Sequence, residues 1–152
     1  MGFKKYWKSQ DGFTLAEIII ATAVFMIAFV GILLSYLRSV ELSELSRNSS
    51  TAVQAARSRM EQIKDTSFSQ IMGNYNIVTF TAAGLNGKGV SYVDNTNPDL
   101  LLVTISFCWQ QKNGKIIGED SNLNGLVDAG EDKNGNGMID SPVQLVSYVY
   151  DK

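Results

Sequence analysis

Between Asp11 and Tyr36 the chain reads DGFTLAEIIIATAVFMIAFVGILLSY, and from Ile18 to Leu34 it carries no charge, with only Thr22 and Gly31 interrupting the apolar run. About 20 such residues, rising about 1.5 Å each as a helix, match the roughly 30 Å hydrocarbon layer of a membrane. One carboxylate, Glu17, stands just ahead of the run. A charge there costs about 2–3 kcal/mol at the bilayer centre and less at the interface, and it usually marks a partner or a role. A secretory signal has a shorter apolar centre and a small-residue cleavage site beyond it. Here the candidate cleavage point, Gly12, lies ahead of the run.

Gly12-Phe13-Thr14-Leu15-Ala16-Glu17, followed at once by the uncharged segment and an amphipathic extension, resembles the processing site of type IV prepilins and type II secretion pseudopilins. The resemblance is close over the first third of the chain and holds in outline beyond it. It implies that a prepilin peptidase cuts between Gly12 and Phe13, removing residues 1–12, and methylates the new N-terminal Phe13. It implies that Glu17 neutralises the free amine of a neighbouring subunit inside a filament, so Phe13 and Glu17 are the assembly residues. It also implies an inner-membrane assembly platform, other pilin subunits as partners, and membrane lipid around the helix before assembly. Thr14 and Glu17 fit in addition the S/T-x-x-E capping box of a helix start, a role compatible with the first.

Lys4, Lys5 and Lys8 precede the apolar segment, which by the positive-inside tendency keeps the N-terminus cytoplasmic and sends the remainder outward, to a periplasmic or extracellular location. The single cysteine, Cys108, leaves no intrachain disulfide to fasten loops in that compartment. With no histidine in the chain, Ser-His-Asp and Cys-His catalysis and histidine-ligated zinc are excluded. A formal net charge of -2 argues against a chain-wide nucleic-acid surface, and Arg57, Arg59 and Lys64 read as an ordinary solvated helix face.

After Tyr36, Leu37, Val40, Leu45, Ala52, Val53, Ala56, Met60 and Ile63 recur at helical steps, and the first proline is Pro98. One continuous helix from about Thr14 to about Asp65 is expected, with residues 13–36 as the membrane and assembly part and 37–66 continuing into a head. Its serines break any heptad seam, so packing on a sheet is expected. In the head, 67–152, a loop carrying Phe68, Ile71 and Met72 precedes strands at Tyr75–Thr81 and Leu100–Gln110, with at most a short one at Val90–Val93. Asn113-Gly114 signals a two-residue hairpin before Ile116-Ile117, and the last strand is about Val143–Tyr150. Cys108 and Trp109 read as a buried thiol and a packed ring. The fold class is α+β and pilin-like: a long N-terminal helix on a small antiparallel sheet.

Residues 119–140 read EDSNLNGLVDAGEDKNGNGMID and hold six of the chain's 15 acidic side chains, with Lys133 the only cation. An EF-hand loop supplies oxygens to Ca²⁺ from positions 1, 3, 5, 7 and 9, turns at a glycine in position 6, and closes with a glutamate at position 12. Counted from Asp120, these are Asp120, Asn122, Asn124, the Leu126 carbonyl, Asp128, Gly125 and Glu131. A second copy runs Asp132, Asn134, Asn136, Gly137, the Met138 carbonyl and Asp140, but its twelfth residue is Val143. It either borrows a ligand from elsewhere or binds weakly. Strands instead of helices flank the pair, so the ion's expected role is to close the insertion before the last strand.

Three functions compete. The leading expectation is a filament subunit with a Ca²⁺-stabilised head; Ala21, Phe25, Gly31 and the strand ending Phe107-Cys108-Trp109 are most similar to minor pilins or minor pseudopilins. A major subunit of the same filament is the nearest rival. A monomeric membrane-anchored Ca²⁺-binding surface module, its leader uncut, is the alternative of a different class.

Overall fold

The computed structural model describes residues 12–151. The expected basic leader at Lys4, Lys5 and Lys8 lies outside the described residues. Chain contacts separate two compact units, Met1–Glu41 and Leu42–Lys152.

Helix α1 runs Leu15–Lys64 without a break, as the absence of proline requires. Within the first unit every described residue is exposed, and the exposed side chains include Ile18, Ile20, Phe25, Ile27, Val30 and Leu33. Apolar groups point from all sides of the helix, and the Phe25 and Phe29 rings stack at 6.2 Å. The helix is long and apolar enough to cross a membrane.

In the second unit, α1 buries Asn48, Ala52, Ala56, Met60 and Ile63, a stripe at three- and four-residue steps. Leu37 and Val40, read from sequence as part of this apolar face, are half exposed at 51% and 49%. The buried stripe begins later, at the partly buried Leu45. The segment expected as a loop around Phe68 is a second helix, α2 (Phe68–Tyr75), whose Ile71 is fully buried. Strand β1 is therefore shorter than expected, Val78–Phe80.

Strand β2 spans Gly87–Asn97, eleven residues where at most Val90–Val93 was expected. Its two glycines hid it: a Cβ at Gly89 would run into the rings of Phe80 and Phe107, so the sequence position that weakens a strand locally is demanded by ring packing across it. Strand β3 (Leu100–Gln110) matches the expected bounds and pairs antiparallel with β2, with β4 (Ile116–Ile117) and with β5 (Gln144–Tyr150). The β3–β4 turn differs from the two-residue form. Gln111 N–H donates to Lys115 O and Gly114 N–H to Gln111 O, with Gly114 at φ +84°, which makes a three-residue loop closed by a left-handed glycine.

The sheet order is β1-β2-β3-β4, with β5 also on β3. Alternation along β3 gives two faces. Leu101, Val103, Ile105, Phe107 and Trp109 join the α1 stripe and Ile71 in the main core. Cys108 lies on the other face with Val90, Tyr92 and Ile139, partly covered by Leu123 and Met138. Thus the acidic segment does not hang free: its apolar residues cap the outer face of the sheet.

Candidate functional sites at the helix start and in the acidic loop

At the helix start, Glu17 Oε2 accepts from Thr14 N–H and from Thr14 Oγ1, both at 2.9 Å, while Glu17 N–H donates to Thr14 Oγ1 at 3.3 Å. This is the reciprocal capping box the spacing predicts. Phe13 beside it is 86% exposed. Gly12 has open space where a Cβ would go, so nothing in the fold demands a glycine there. Phe13, Glu17, Ile18, Ala21, Thr22 and Phe25 line one shallow, mainly apolar concavity.

In the acidic segment the two twelve-residue repeats fold alike. Asp120 is 1% exposed; its Oδ1 accepts from Asn124 N–H and its Oδ2 from Gly125 N–H. One repeat later, Asp132 Oδ1 accepts from Asn136 N–H and its Oδ2 from Gly137 N–H. Asn122 and Asn124 both donate from Nδ2 to Asp128 Oδ2, at 2.7 Å each. Asn134 and Asn136 converge in the same way on Asp140 Oδ2, at 2.6 and 3.0 Å. The seventh-position amides of Leu126 and Met138 donate to the fifth-position Asn124 and Asn136 Oδ1. Gly125 holds φ +80°, and a Cβ there would strike the Thr79 methyl, so this turn needs glycine twice over.

Glu131 is 4% exposed. Its Oε1 accepts from Ser121 N–H and Oγ, its Oε2 from Asp128 N–H at 3.2 Å, and the Ser121 hydroxyl leads the causes that hold its carboxyl below the usual value. In the second repeat that place is not taken by Val143, which is buried in the main core. Glu119 takes it: its Oε2 accepts from Asp140 N–H at 3.2 Å, the ninth-position amide again. The signal was present in the sequence, since a glutamate stands just before the first aspartate of each repeat, at Glu119-Asp120 and Glu131-Asp132.

The described residues contain no group of three or more His, Cys, Asp or Glu side chains gathered to hold a metal. Where Asn122 and Asn124 meet Asp128, and Asn134 and Asn136 meet Asp140, the amides present Nδ2–H donors, while their Oδ1 atoms accept from backbone amides of the same turns. A hard cation such as Ca²⁺ takes oxygen donors, so these residues would fit it only with the Asn amides turned over to bring Oδ1 to those points.

The segment is pinned at both ends: Glu119 N–H donates to Asp140 O at 2.9 Å, and Ser141 Oγ donates to Phe107 O at 2.6 Å. Ile139 N–H donates to the Tyr92 hydroxyl oxygen at 2.9 Å, and burial pushes that phenol's pKa up.

The basic helix face departs from expectation. Arg57 and Lys64 are exposed, but Arg59 is half-buried, its guanidinium 4.6 Å from the Tyr75 ring centroid and 5.5 Å from that of Phe80.

No curated protein and no solved structure matches the chain. A family match covers residues 7–33, described as the prokaryotic N-terminal methylation motif. Through these residues the chain carries the hallmark of type IV pilin and pseudopilin precursors.

Proposed function

We propose that this chain is a structural subunit, of the minor kind, of a type IV pilus or type II secretion-like filament, held in the bacterial inner membrane before assembly. The observation that carries the reading is the Ile18–Leu34 part of α1: uncharged, wholly exposed, and with one carboxylate, Glu17, just ahead of it in the first turn of the helix and inside the matched motif. Such a surface is stable only in lipid or against other helices, and Glu17 supplies the one charge able to meet a neighbour's freed Phe13 amine. The Thr14 contacts hold that carboxylate at the helix end until the amine takes it. In hydrocarbon an unpaired carboxylate and ammonium are each costly, so their pairing favours the polymer and fixes the stagger between neighbours.

The head's part is to keep its shape outside the membrane without a disulfide. We propose that Ca²⁺ closes the acidic segment, held in the first repeat by Asp120, Asn122, Asn124, the Leu126 carbonyl, Asp128 and Glu131. In the second repeat Asp132, Asn134, Asn136, the Met138 carbonyl and Asp140 hold it, with Glu119 in place of a twelfth-position ligand. The ion supplies a positive centre for carboxylates that otherwise repel one another. Support comes from the in-phase hydrogen bonding of the two repeats.

The test is incorporation. Filaments sheared from cells should contain the chain at low abundance beside a major subunit, and Glu17→Ala should remain in the membrane fraction and be missing from the filaments. Normal incorporation of Glu17→Ala would refute the assembly role, and the chain as the main filament protein would refute the minor one.

A further inference from the structure

Among the described residues Arg59 is a charge without a counter-ion. Its Nε–H is fully covered and has no hydrogen-bond partner among them, and the one they offer Nη1 is Gln62 Oε1 at a long 3.4 Å. Among the described residues no carboxylate lies within 4 Å of it; the ion pair found there is Arg38–Glu41, on the exposed part of the helix. Desolvation lowers the pKa of its guanidinium, which registers how far the group has been drawn out of water. The Tyr75 and Phe80 ring centroids lie 4.6 and 5.5 Å from the guanidinium carbon, and such cation–π contacts return part of that cost.

The group does not face a wall. Arg59 lines a pocket of about 140 Å³ with Ala55, Ser58, Gln62, Phe80 and Thr81. A volume of that order admits one small side chain, and its rim offers two hydroxyls and an amide around the cation. A guanidinium packed against two aromatic rings has less rotamer freedom to lose, and its planar fork is the shape that recognises a carboxylate by two parallel hydrogen bonds. Lysine or an exposed arginine lacks that preorganisation.

We propose that the Arg59 pocket is a receptor for a carboxylate, an Asp or Glu side chain presented by a neighbouring filament subunit. The receptor is a property of the pocket alone; its occupant rests on the filament reading above.

Two experiments separate these. Full-length protein in detergent micelles, labelled with ¹⁵N-arginine, is titrated with sodium acetate at constant ionic strength against sodium chloride. The Arg59 Nε–Hε signal should move saturably with acetate and stay still with chloride, while Arg57 and Arg47 hardly move. An Arg59 signal that tracks Arg57, or responds equally to chloride, overturns the receptor. In uniformly ¹⁵N-labelled protein, Arg59→Lys, which keeps the charge and loses the fork, should raise the acetate concentration at half-effect of the neighbouring Gln62 amide signal by tenfold or more over the parent. An unchanged value there also counts against it.

For the occupant, a photo-crosslinking residue replaces the exposed Ser58 in assembled filaments. Attachment to a subunit peptide with an acidic residue at or next to the linked position supports the proposal. Filaments that hold the variant without a crosslink, or linked to a peptide lacking an acid, overturn it. Acetate binding by a chain that never enters filaments would refute the filament reading while upholding the receptor.

Discussion

Calcium should stabilise the second unit by an amount that can be worked out beforehand. For a loop with a Kd of about 10⁻⁴–10⁻³ M, 10 mM Ca²⁺ adds RT ln(1 + [L]/Kd), about 1.4–2.7 kcal/mol per ion. The unit spans Leu42–Lys152, and for a domain near 100 residues 1 kcal/mol moves Tm by roughly 4 °C, so each ion should raise Tm by about 6–11 °C. Full-length Trp7→Phe protein in micelles, melted with the fluorescence of the remaining Trp109 as reporter, gives the value directly, because that ring is 1% exposed in the main core. Asp120→Asn separates ion from scaffold. In EGTA it weakens acceptors of the Asn124 and Gly125 amides, of which Asn124 N–H keeps a second partner in Asn122 Oδ1 at 2.9 Å. That costs about 1 kcal/mol. In Ca²⁺ it also forfeits the first ion, so the gap from the parent should widen to about 2.5–4 kcal/mol. Equal melting temperatures in EGTA and 10 mM Ca²⁺ would refute the metal reading. A mutant gap of the same size in both conditions would refute Asp120 as a ligand.

Truncating Ile63 to Ala, at a site with no exposure, should destabilise the head by about 2–5 kcal/mol in denaturant titration, whereas Leu37→Ala should leave it unchanged. Ile77 sits at φ +56° with its side chain 57% exposed, so Ile77→Asn should raise stability by about 0.5–1 kcal/mol; a loss would show that the side chain carries packing of its own. Tyr92 has its pKa raised by burial, so its contribution is fully present below the unfolded value of 10.0 and is lost as pH climbs through the higher folded one. Alkaline unfolding should accordingly shift in Tyr92→Phe, which also leaves Ile139 N–H without its acceptor. An unchanged alkaline profile would remove that account.

The long helix, the β3 bounds and the capping box were legible because each depends on neighbours in sequence: uninterrupted helical periodicity, a β-branched run, and a Thr three residues before a Glu. What escaped depends on partners far along the chain. Strand β2 was obscured by Gly87, crowded by the Cys108 carbonyl, Phe107 and Trp109 across the ladder, and by Gly89, covered by the Phe80 and Phe107 rings. Helix α2 read as a loop although Phe68, Ile71, Met72 and Tyr75 stand at helical steps on the core, because it is only eight residues long and carries Gly73 inside it. Arg59 looked like its neighbour Arg57 until the Tyr75 and Phe80 rings were seen to flank it. In the acidic segment the spacing from Asp120 and Asp132 was readable, but the place of Glu119 required the fold, since it meets Asp140 from 21 residues away.

The account rests on a chain that is trimmed and then polymerised. Mass analysis of the N-terminal peptide from membrane-extracted protein tests this most directly. The account predicts a peptide starting at Phe13 and one methyl group heavier than its sequence; a peptide retaining residues 1–12, from cells that assemble filaments, would contradict it.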